Sequence, residues 1–256
     1  MPHVELDLTI HNGAGERIAA TFLTPNNASP APAVLLCQGL SGVRNLVMPT
    51  VASVLADAGI ASLRFDYAGH GESSGDRGWI NPFARVSDAR YVLSYLIGMQ
   101  EVDPHRVGVY GHSYGGPVAL HLAAADPQVR AAVTVSGPGN GEAMLRAPRP
   151  AWEWVELKKR VAVDRLAISR GHEPEVVPVN DIFPFSPAFA AAYEKLKASQ
   201  GGTSALPGTD GLGKTSFYLA SVDAMSAFRP EAAAAQLTGC PTMFINGADD
   251  DTAPIE

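Results

Sequence analysis

Val107-Gly108-Val109-Tyr110-Gly111-His112-Ser113-Tyr114-Gly115-Gly116 is the stretch from which the rest of the chain can be placed. A β-branched apolar run stops at a glycine, turns on a serine and passes two more glycines. It then continues as Pro117-Val118-Ala119-Leu120-His121-Leu122-Ala123-Ala124-Ala125, which reads as a helix. The five residues from Gly111 to Gly115 are a G-x-S-x-G sequence, the pattern of a nucleophile elbow. The spacing has a steric reason. A serine on a sharp strand-to-helix turn sits in a strained backbone, and side chains two residues to either side would collide, so glycine fills those places. The serine oxygen then stands clear of the sheet, and the helix N-terminus beyond it presents free N–H groups to a developing negative charge. On its own the pattern also describes a glycine-rich turn that happens to hold a serine; the strand before it and the helix after it favour Ser113 as a nucleophile.

Outward from this point the chain alternates strands and helices. Val4 to Ile10 and Arg17 to Leu23 alternate apolar and polar residues around Asn12-Gly13-Ala14-Gly15, which predicts a hairpin at a sheet edge. Ala33-Val34-Leu35-Leu36-Cys37, Ile60-Ala61-Ser62-Leu63-Arg64-Phe65 and Ala131-Ala132-Val133-Thr134-Val135 are short apolar runs suited to parallel strands. Leu46 to Ala58 has a helical pattern that stops at Gly59. Asn81-Pro82 opens a second helix, expected to carry Phe83, Val86, Leu93, Leu96 and Ile97 on its inner face. The predicted fold class is therefore α/β, a doubly wound, mostly parallel sheet with right-handed crossovers. The rhythm breaks at Gly137 and resumes with the strand Pro241-Thr242-Met243-Phe244-Ile245-Asn246. The expected organisation is a core over residues 1–137, an inserted helical cap over 138–236 and the continued core over 237–256. The cap is rich in large apolar side chains, among them Trp152, Trp154, Phe183, Phe185, Phe189, Tyr193, Phe217 and Tyr218.

Composition narrows the partners. The 256 residues are 46% hydrophobic and 18% charged, as in ordinary globular proteins, and suffice for one large domain. A net charge of −7 argues against nucleic acid. No apolar run is long enough to span a membrane, and Met1 to Leu6 lacks the basic start and apolar core of a signal peptide. Two cysteines, Cys37 and Cys240, make no disulfide framework; both are expected to be buried packing residues in a reducing, cytoplasmic setting. No metal-ligand spacing appears, and the expected cofactor list is empty. Gly208 to Thr215 matches G-x-x-x-x-G-K-[ST], but no strand runs into it, so the match is read as chance. Trp152 to Arg160 reads as an amphipathic cap helix rather than a membrane anchor. Oligomeric state is not legible.

Taken together, several motifs identify a resemblance. Gln38-Gly39-Leu40, Phe65-Asp66-Tyr67-Ala68-Gly69-His70-Gly71-Glu72-Ser73, the elbow, and Phe244-Ile245-Asn246-Gly247-Ala248-Asp249-Asp250-Asp251-Thr252-Ala253-Pro254 span nearly the whole chain outside the cap. The sequence resembles the α/β-hydrolase superfamily of serine hydrolases. Within it, the chain is similar to the capped esterase and acyl-hydrolase branch near the dienelactone-hydrolase-like and X-Pro dipeptidyl-peptidase-like proteins. The resemblance implies Ser113 as nucleophile, the backbone N–H groups of Tyr114 and Leu40 as the oxyanion hole, and Asp250, with its neighbours Asp249 and Asp251 as alternatives, as the acid that orients a histidine. It further implies an acyl-enzyme hydrolase acting on a small, largely apolar carboxylic ester or thioester. The alternative is a ligand-binding protein that keeps the fold without turnover. One departure matters. The family's histidine follows its acid, and none of the seven histidines (His3, His11, His70, His105, His112, His121, His172) follows Asp250. His112, inside the elbow, and His121, on the helix behind it, are not expected to take the serine proton, and surface or loop roles are expected for His70 and His172. The expectation is therefore a chain truncated at its C-terminus, lacking the last strand and helix of the sheet and the triad histidine, and inactive as it stands.

Overall fold

The computed structural model describes residues 3–25, 30–188, 190, 191, 195, 216–248 and 250. A seven-stranded sheet forms its centre. The strands are β1 (Val4–His11), β2 (Arg17–Thr24), β3 (Ala31–Cys37), β4 (Ala61–Phe65), β5 (Val102–His112), β6 (Val129–Val135) and, after the inserted region, a strand at Thr242–Ile245. They lie in the order β1-β2-β4-β3-β5-β6 and then the Thr242–Ile245 strand. β1 and β2 pair antiparallel as a hairpin, with Ile10 opposite Ile18, and β2 meets β4 antiparallel; every other pairing in the sheet is parallel. The expected α/β class, doubly wound and mostly parallel, is what the chain adopts.

Helices cover the two faces. α1 (Met48–Asp57) packs Met48, Ala52 and Ala56 against Leu23 and Leu36 on one side. α2 (Pro82–Ile97) and α3 (Gly115–Ala125) close over the main core on the other, around Leu35, Leu63, Phe65, Val107 and Val109. Asn81 caps α2, its side-chain oxygen accepting from the N–H groups of Phe83 and Ala84, and Pro82 occupies the first turn, where a missing N–H costs nothing. The inner face of α2 differs from the sequence expectation. Phe83 is 51% exposed, while Arg85 and Asp88 turn inward with Ala89, Val92, Leu93 and Leu96. Two charged side chains point into the protein because each has polar partners waiting there. Asp88 accepts from Asn12 Nδ2 at 2.8 Å and from the Ala68 N–H at 2.9 Å, although burial still raises its pKa. Arg85 is taken up below.

Between β6 and the last strand, the described residues form α4 (Gly141–Arg146), α5 (Ala151–Ser169), β7 (Val176–Pro178), α6 (Val179–Ile182), β8 (Ser216–Tyr218), α7 (Ser221–Ala227) and α8 (Pro230–Ala234). The last strand, Thr242–Ile245, is β9. A helical insertion was expected here; a small antiparallel ribbon, Val176 opposite Tyr218, was not. Three-residue strands carry too little alternation to be read from sequence. α5 buries Trp154, Leu157 and Val161 at helical spacing and leaves Trp152 68% exposed. The buried residues of this insertion form a cluster of their own with Ile80 and Tyr114, and Leu40 packs against it. The insertion is thus seated on the elbow and on the loop after β3. β9 lies at the edge of the sheet with Met243, Phe244 and Ile245 exposed. Cys37 is buried as expected, whereas Cys240 is only half-buried in the approach to β9. The G-x-x-x-x-G-K-[ST] match at 208–215, the glycine pair at 201–202, Phe189, Tyr193, Asp249 and Asp251 lie outside the described residues. No described helix is long and apolar enough to cross a membrane, and no group of metal-ligating side chains occurs among the described residues.

Candidate functional site

Ser113 stands at the junction of β5 and α3 with φ of +53°, in the left-handed region that a serine rarely adopts. The flanking glycines show why the turn tolerates nothing larger. A Cβ on Gly111 would lie 2.2 Å from the Gly115 carbonyl oxygen, and one on Gly115 would lie 2.1 Å from the Cys37 carbonyl oxygen. The turn is fixed from both sides. The Ser113 N–H donates to Val135 O at 2.8 Å, and Ser113 O accepts from the Gly116 N–H at 2.9 Å. Such a conformation costs on the order of 1–2 kcal/mol for a residue with a Cβ. Ser113→Gly is therefore expected to melt about 2–4 °C above Ser113→Ala, which keeps the strain, for a relief of roughly 1 kcal/mol in a chain of this size. Equal melting temperatures for the two variants by scanning calorimetry would show that the turn stores no strain.

The loop after β3 lies against the serine. A Cβ on Gly39 would be 3.4 Å from Ser113 Cβ and 3.7 Å from its Oγ. A cavity of about 340 Å³ opens here, with Ser113, Tyr114, Leu40 and Asp250 all on its wall. All four residues singled out in the sequence thus face one space. The rest of the lining is mostly apolar: Val43, Leu46, Val47 and Met48 from the core side, and Met144, Val179, Phe183 and Phe185 from the insertion. Of the aromatic residues singled out in the insertion, Phe183 and Phe185 reach the cavity, and Trp152 does not. Neither the Leu40 nor the Tyr114 N–H donates to a protein acceptor among the described residues.

The histidines are placed as follows. His112 lines the cavity beside Ser113, a position the sequence reading did not give it, and burial lowers its pKa. His70 is not a surface residue: it is 2% exposed, with Nδ1 3.1 Å from the Ala68 carbonyl oxygen and Nε2 2.9 Å from Arg85 Nη2. His121 stacks on Phe228 at 4.4 Å between centroids and holds Pro117 O at 2.9 Å, and burial lowers its pKa too. His3 pairs with Asp57, and His11, His105 and His172 are exposed.

Three further groups around the site were given no role by the sequence reading. Asp66, 1% exposed, accepts from the Arg44 N–H at 2.6 Å, from Arg44 Nη1 at 2.5 Å and from the Glu72 N–H at 3.0 Å. Arg44 also reaches Glu72 Oε2 at 2.6 Å and Thr21 Oγ1 at 3.2 Å. These bonds tie the end of the loop after β3 to the turn after β4. Arg85, 2% exposed, donates to the carbonyls of Gly39 and Leu40 from behind the same loop. Burial pulls its pKa down, yet a guanidinium stays charged at neutral pH. Ser136 is the other non-glycine residue with positive φ, +49°, and it also lines the cavity. Its position at the end of β6, with its N–H on Ile245 O at 2.8 Å, follows from pairing that a single sequence does not display.

Comparison with known proteins agrees with this architecture. A family model described as the alpha/beta hydrolase fold matches residues 32–256. An uncharacterized 31.7 kDa protein from the traX-finO intergenic region of Escherichia coli is 34% identical over 130 residues, 51% of this chain and 46% of that protein. A thiohydrolase, aneE, of Aspergillus aculeatus is 28% identical over 169 residues, 64% of this chain and 52% of that one. The chain thus spans about half the length of each of these relatives. The solved structure of DcsB with its substrate analogue superposes with a TM-score of 0.81 at 19% identity, covering 98% of this chain and 83% of that one. Such a likeness speaks to fold alone. With a family model covering most of its length, and the strand order and serine turn described above, the chain belongs to the alpha/beta hydrolase fold family.

Proposed function

We propose that the protein is a serine hydrolase that cleaves a carboxylic ester or thioester of a small, largely apolar substrate. The observation that carries this reading is Ser113, held at φ of +53° on the wall of a mostly apolar cavity that Leu40, Tyr114 and Asp250 share. Ser113 Oγ attacks the carbonyl carbon. The Leu40 and Tyr114 N–H groups receive the oxyanion, and Asp250 orients the base that takes the serine proton. The alcohol or thiol leaves with that proton, and water then releases the acid from the acyl-enzyme. Among the described residues His112, which immediately precedes Ser113 at the end of β5, is the one histidine that lines the cavity, and this reading assigns the base to none of the seven histidines. Residues 1–137 and 237–256 act as the core, and residues 138–236 as a cap that supplies the acyl-facing wall. Metal and cofactor have no part in the scheme. The cytoplasm is the proposed compartment, in keeping with two cysteines that are both free. The thioester option draws support from the similarity to the thiohydrolase of Aspergillus aculeatus.

Lining by Phe183, Phe185 and Met144 favours longer or aromatic acyl groups. In the full-length protein, kcat/KM on p-nitrophenyl esters is expected to rise from acetyl toward medium-chain or aryl acyl groups. Each further buried methylene is worth up to about 0.8 kcal/mol, or roughly fourfold. Phe185→Ala should flatten that slope, and Trp152→Ala should leave it unchanged. A profile that is flat or falling in the parent protein contradicts the assigned substrate class. Absence of turnover together with ligand-induced stabilisation would favour the binding-protein alternative.

A further inference from the structure

Arg85 has a buried charge and no carboxylate partner within ion-pairing distance among the described residues. Its Nη1 donates to Gly39 O at 3.3 Å and its Nη2 to Leu40 O. Its Cζ sits 4.8 Å from the ring centroid of Tyr67 and 5.7 Å from that of Tyr114. A guanidinium only donates and a carbonyl only accepts, so His70 carries its proton on Nδ1, toward Ala68 O, and offers Nε2 to Arg85. The guanidinium is thereby fixed on one side by His70 and two aromatic rings, and on the other by two successive carbonyls of the loop after β3.

A trans peptide points its carbonyl and its N–H in opposite directions. Holding Gly39 O toward Arg85 aims the Leu40 N–H away from it, and holding Leu40 O does the same for the Ser41 N–H. Leu40 and Ser41 both line the cavity that contains Ser113. We propose that Arg85 is a positioning residue for the oxyanion hole: it orients the two peptides behind the cavity wall and polarises them, strengthening the Leu40 and Ser41 N–H groups as donors to the oxyanion. Ser41 then joins Leu40 and Tyr114 as a donor. This inference rests on the serine hydrolase reading. Its physical basis is that a fixed cation at the carbonyl end of a peptide increases the positive character at the N–H end. In a dry site such preorganised dipoles act mainly on the transition state.

The test compares Arg85→Lys and Arg85→Met with the parent, all as full-length protein, on one p-nitrophenyl ester. Inhibition is measured with an aryl boronic acid, which becomes tetrahedral and anionic on a serine oxygen, and with the matching uncleaved amide, a neutral ground-state mimic. Turnover number is expected to fall about tenfold in Arg85→Lys and about a hundredfold in Arg85→Met, since a single oxyanion donor is worth more than that. KM and amide binding should stay within about twofold, and boronate binding should weaken in step with kcat. Equal weakening for boronate and amide, or unchanged kcat in a folded variant, overturns the inference. A measurement on the unmodified protein covers the case in which the variants do not fold. On boronate binding, the Leu40 and Ser41 amide protons should move downfield; a shift at Tyr114 with none at Leu40 or Ser41 overturns the inference. Retained turnover in Ser113→Ala would instead defeat the hydrolase reading itself, whatever Arg85 does.

Discussion

Ser113→Ala in the full-length protein should lose ester hydrolysis by a factor on the order of 10⁴ to 10⁶ while folding as the parent does. Removing the nucleophile of a serine triad costs on the order of a millionfold, and the oxyanion hole and binding alone retain about 10³ to 10⁴ over water. The fold should survive because the side chain lies on a cavity wall and the turn is held by backbone groups. The Ser113 N–H bonds Val135 O, and the clearances at Gly111 and Gly115 are unchanged by losing one hydroxyl. KM, or the affinity for a product acid, should move little. Circular dichroism establishes that the variant is folded, and release of p-nitrophenolate measures the loss. A folded Ser113→Ala protein with turnover within tenfold of the parent would remove Ser113 from the chemistry.

Asp66→Asn should be the most destabilising of the conservative substitutions around the site, by about 3–5 kcal/mol, because it removes the buried carboxylate of an ion pair and leaves the buried Arg44 only the exposed Glu72 as a charged partner. The carboxylate accepts from Arg44 at two atoms and from the Glu72 N–H, and the Arg44 side chain is 7% exposed. An asparagine offers one carbonyl oxygen for these donors and turns an NH₂ toward one of them. Gly71 leaves no room for adjustment, because at φ of +49° it passes so close that a Cβ there would lie 2.3 Å from Asp66 Oδ2. Thermal melting should fall by roughly 6–20 °C for a loss of this size in a domain of this length. Activity in the surviving folded fraction should also drop, because the same carboxylate anchors the loop that carries Leu40. A melting temperature within 2 °C of the parent would mean that Glu72 and Thr21, not Asp66, hold Arg44.

These two residues mark what a single sequence displays and what it conceals. The serine turn was legible because its constraint is local: strand, glycine, serine, glycine and helix follow each other within twenty residues, and the steric demand falls on the glycines themselves. The parallel α/β class followed from alternation of apolar runs with helices, and the hairpin from a turn flanked by alternating residues; the strand order came only with the fold. Asp66 was visible as part of a motif, but its work was not, because its partner Arg44 is 22 residues away and joined to it only by the fold. Arg85 and Asp88 were not among the inner-face residues expected for α2, a charged residue on a helix being usually solvated. What brings them inward is a set of carbonyls, N–H groups and an imidazole supplied by three other segments. His70 lies in a loop, one of the places expected for it, but its burial was not legible, as Arg85 is what gives it a buried role. The β7–β8 ribbon pairs segments forty residues apart, each only three residues long. The aromatic residues of the insertion were countable in sequence, but which of them face the cavity depends on how that insertion sits on Tyr114 and Leu40.

If Ser113 is an activated nucleophile within this cavity, covalent labelling reveals it. A fluorophosphonate forms a stable phosphonyl ester only with a serine whose proton is taken by a base, and its tetrahedral oxygen occupies the oxyanion position. The full-length protein is treated with such a probe, digested, and the modified peptide sequenced by mass spectrometry. One adduct is expected, on Ser113, absent in Ser113→Ala and suppressed by a competing apolar ester. An adduct on Ser136 or Ser41 instead, or no adduct in a preparation that hydrolyses esters, would contradict it.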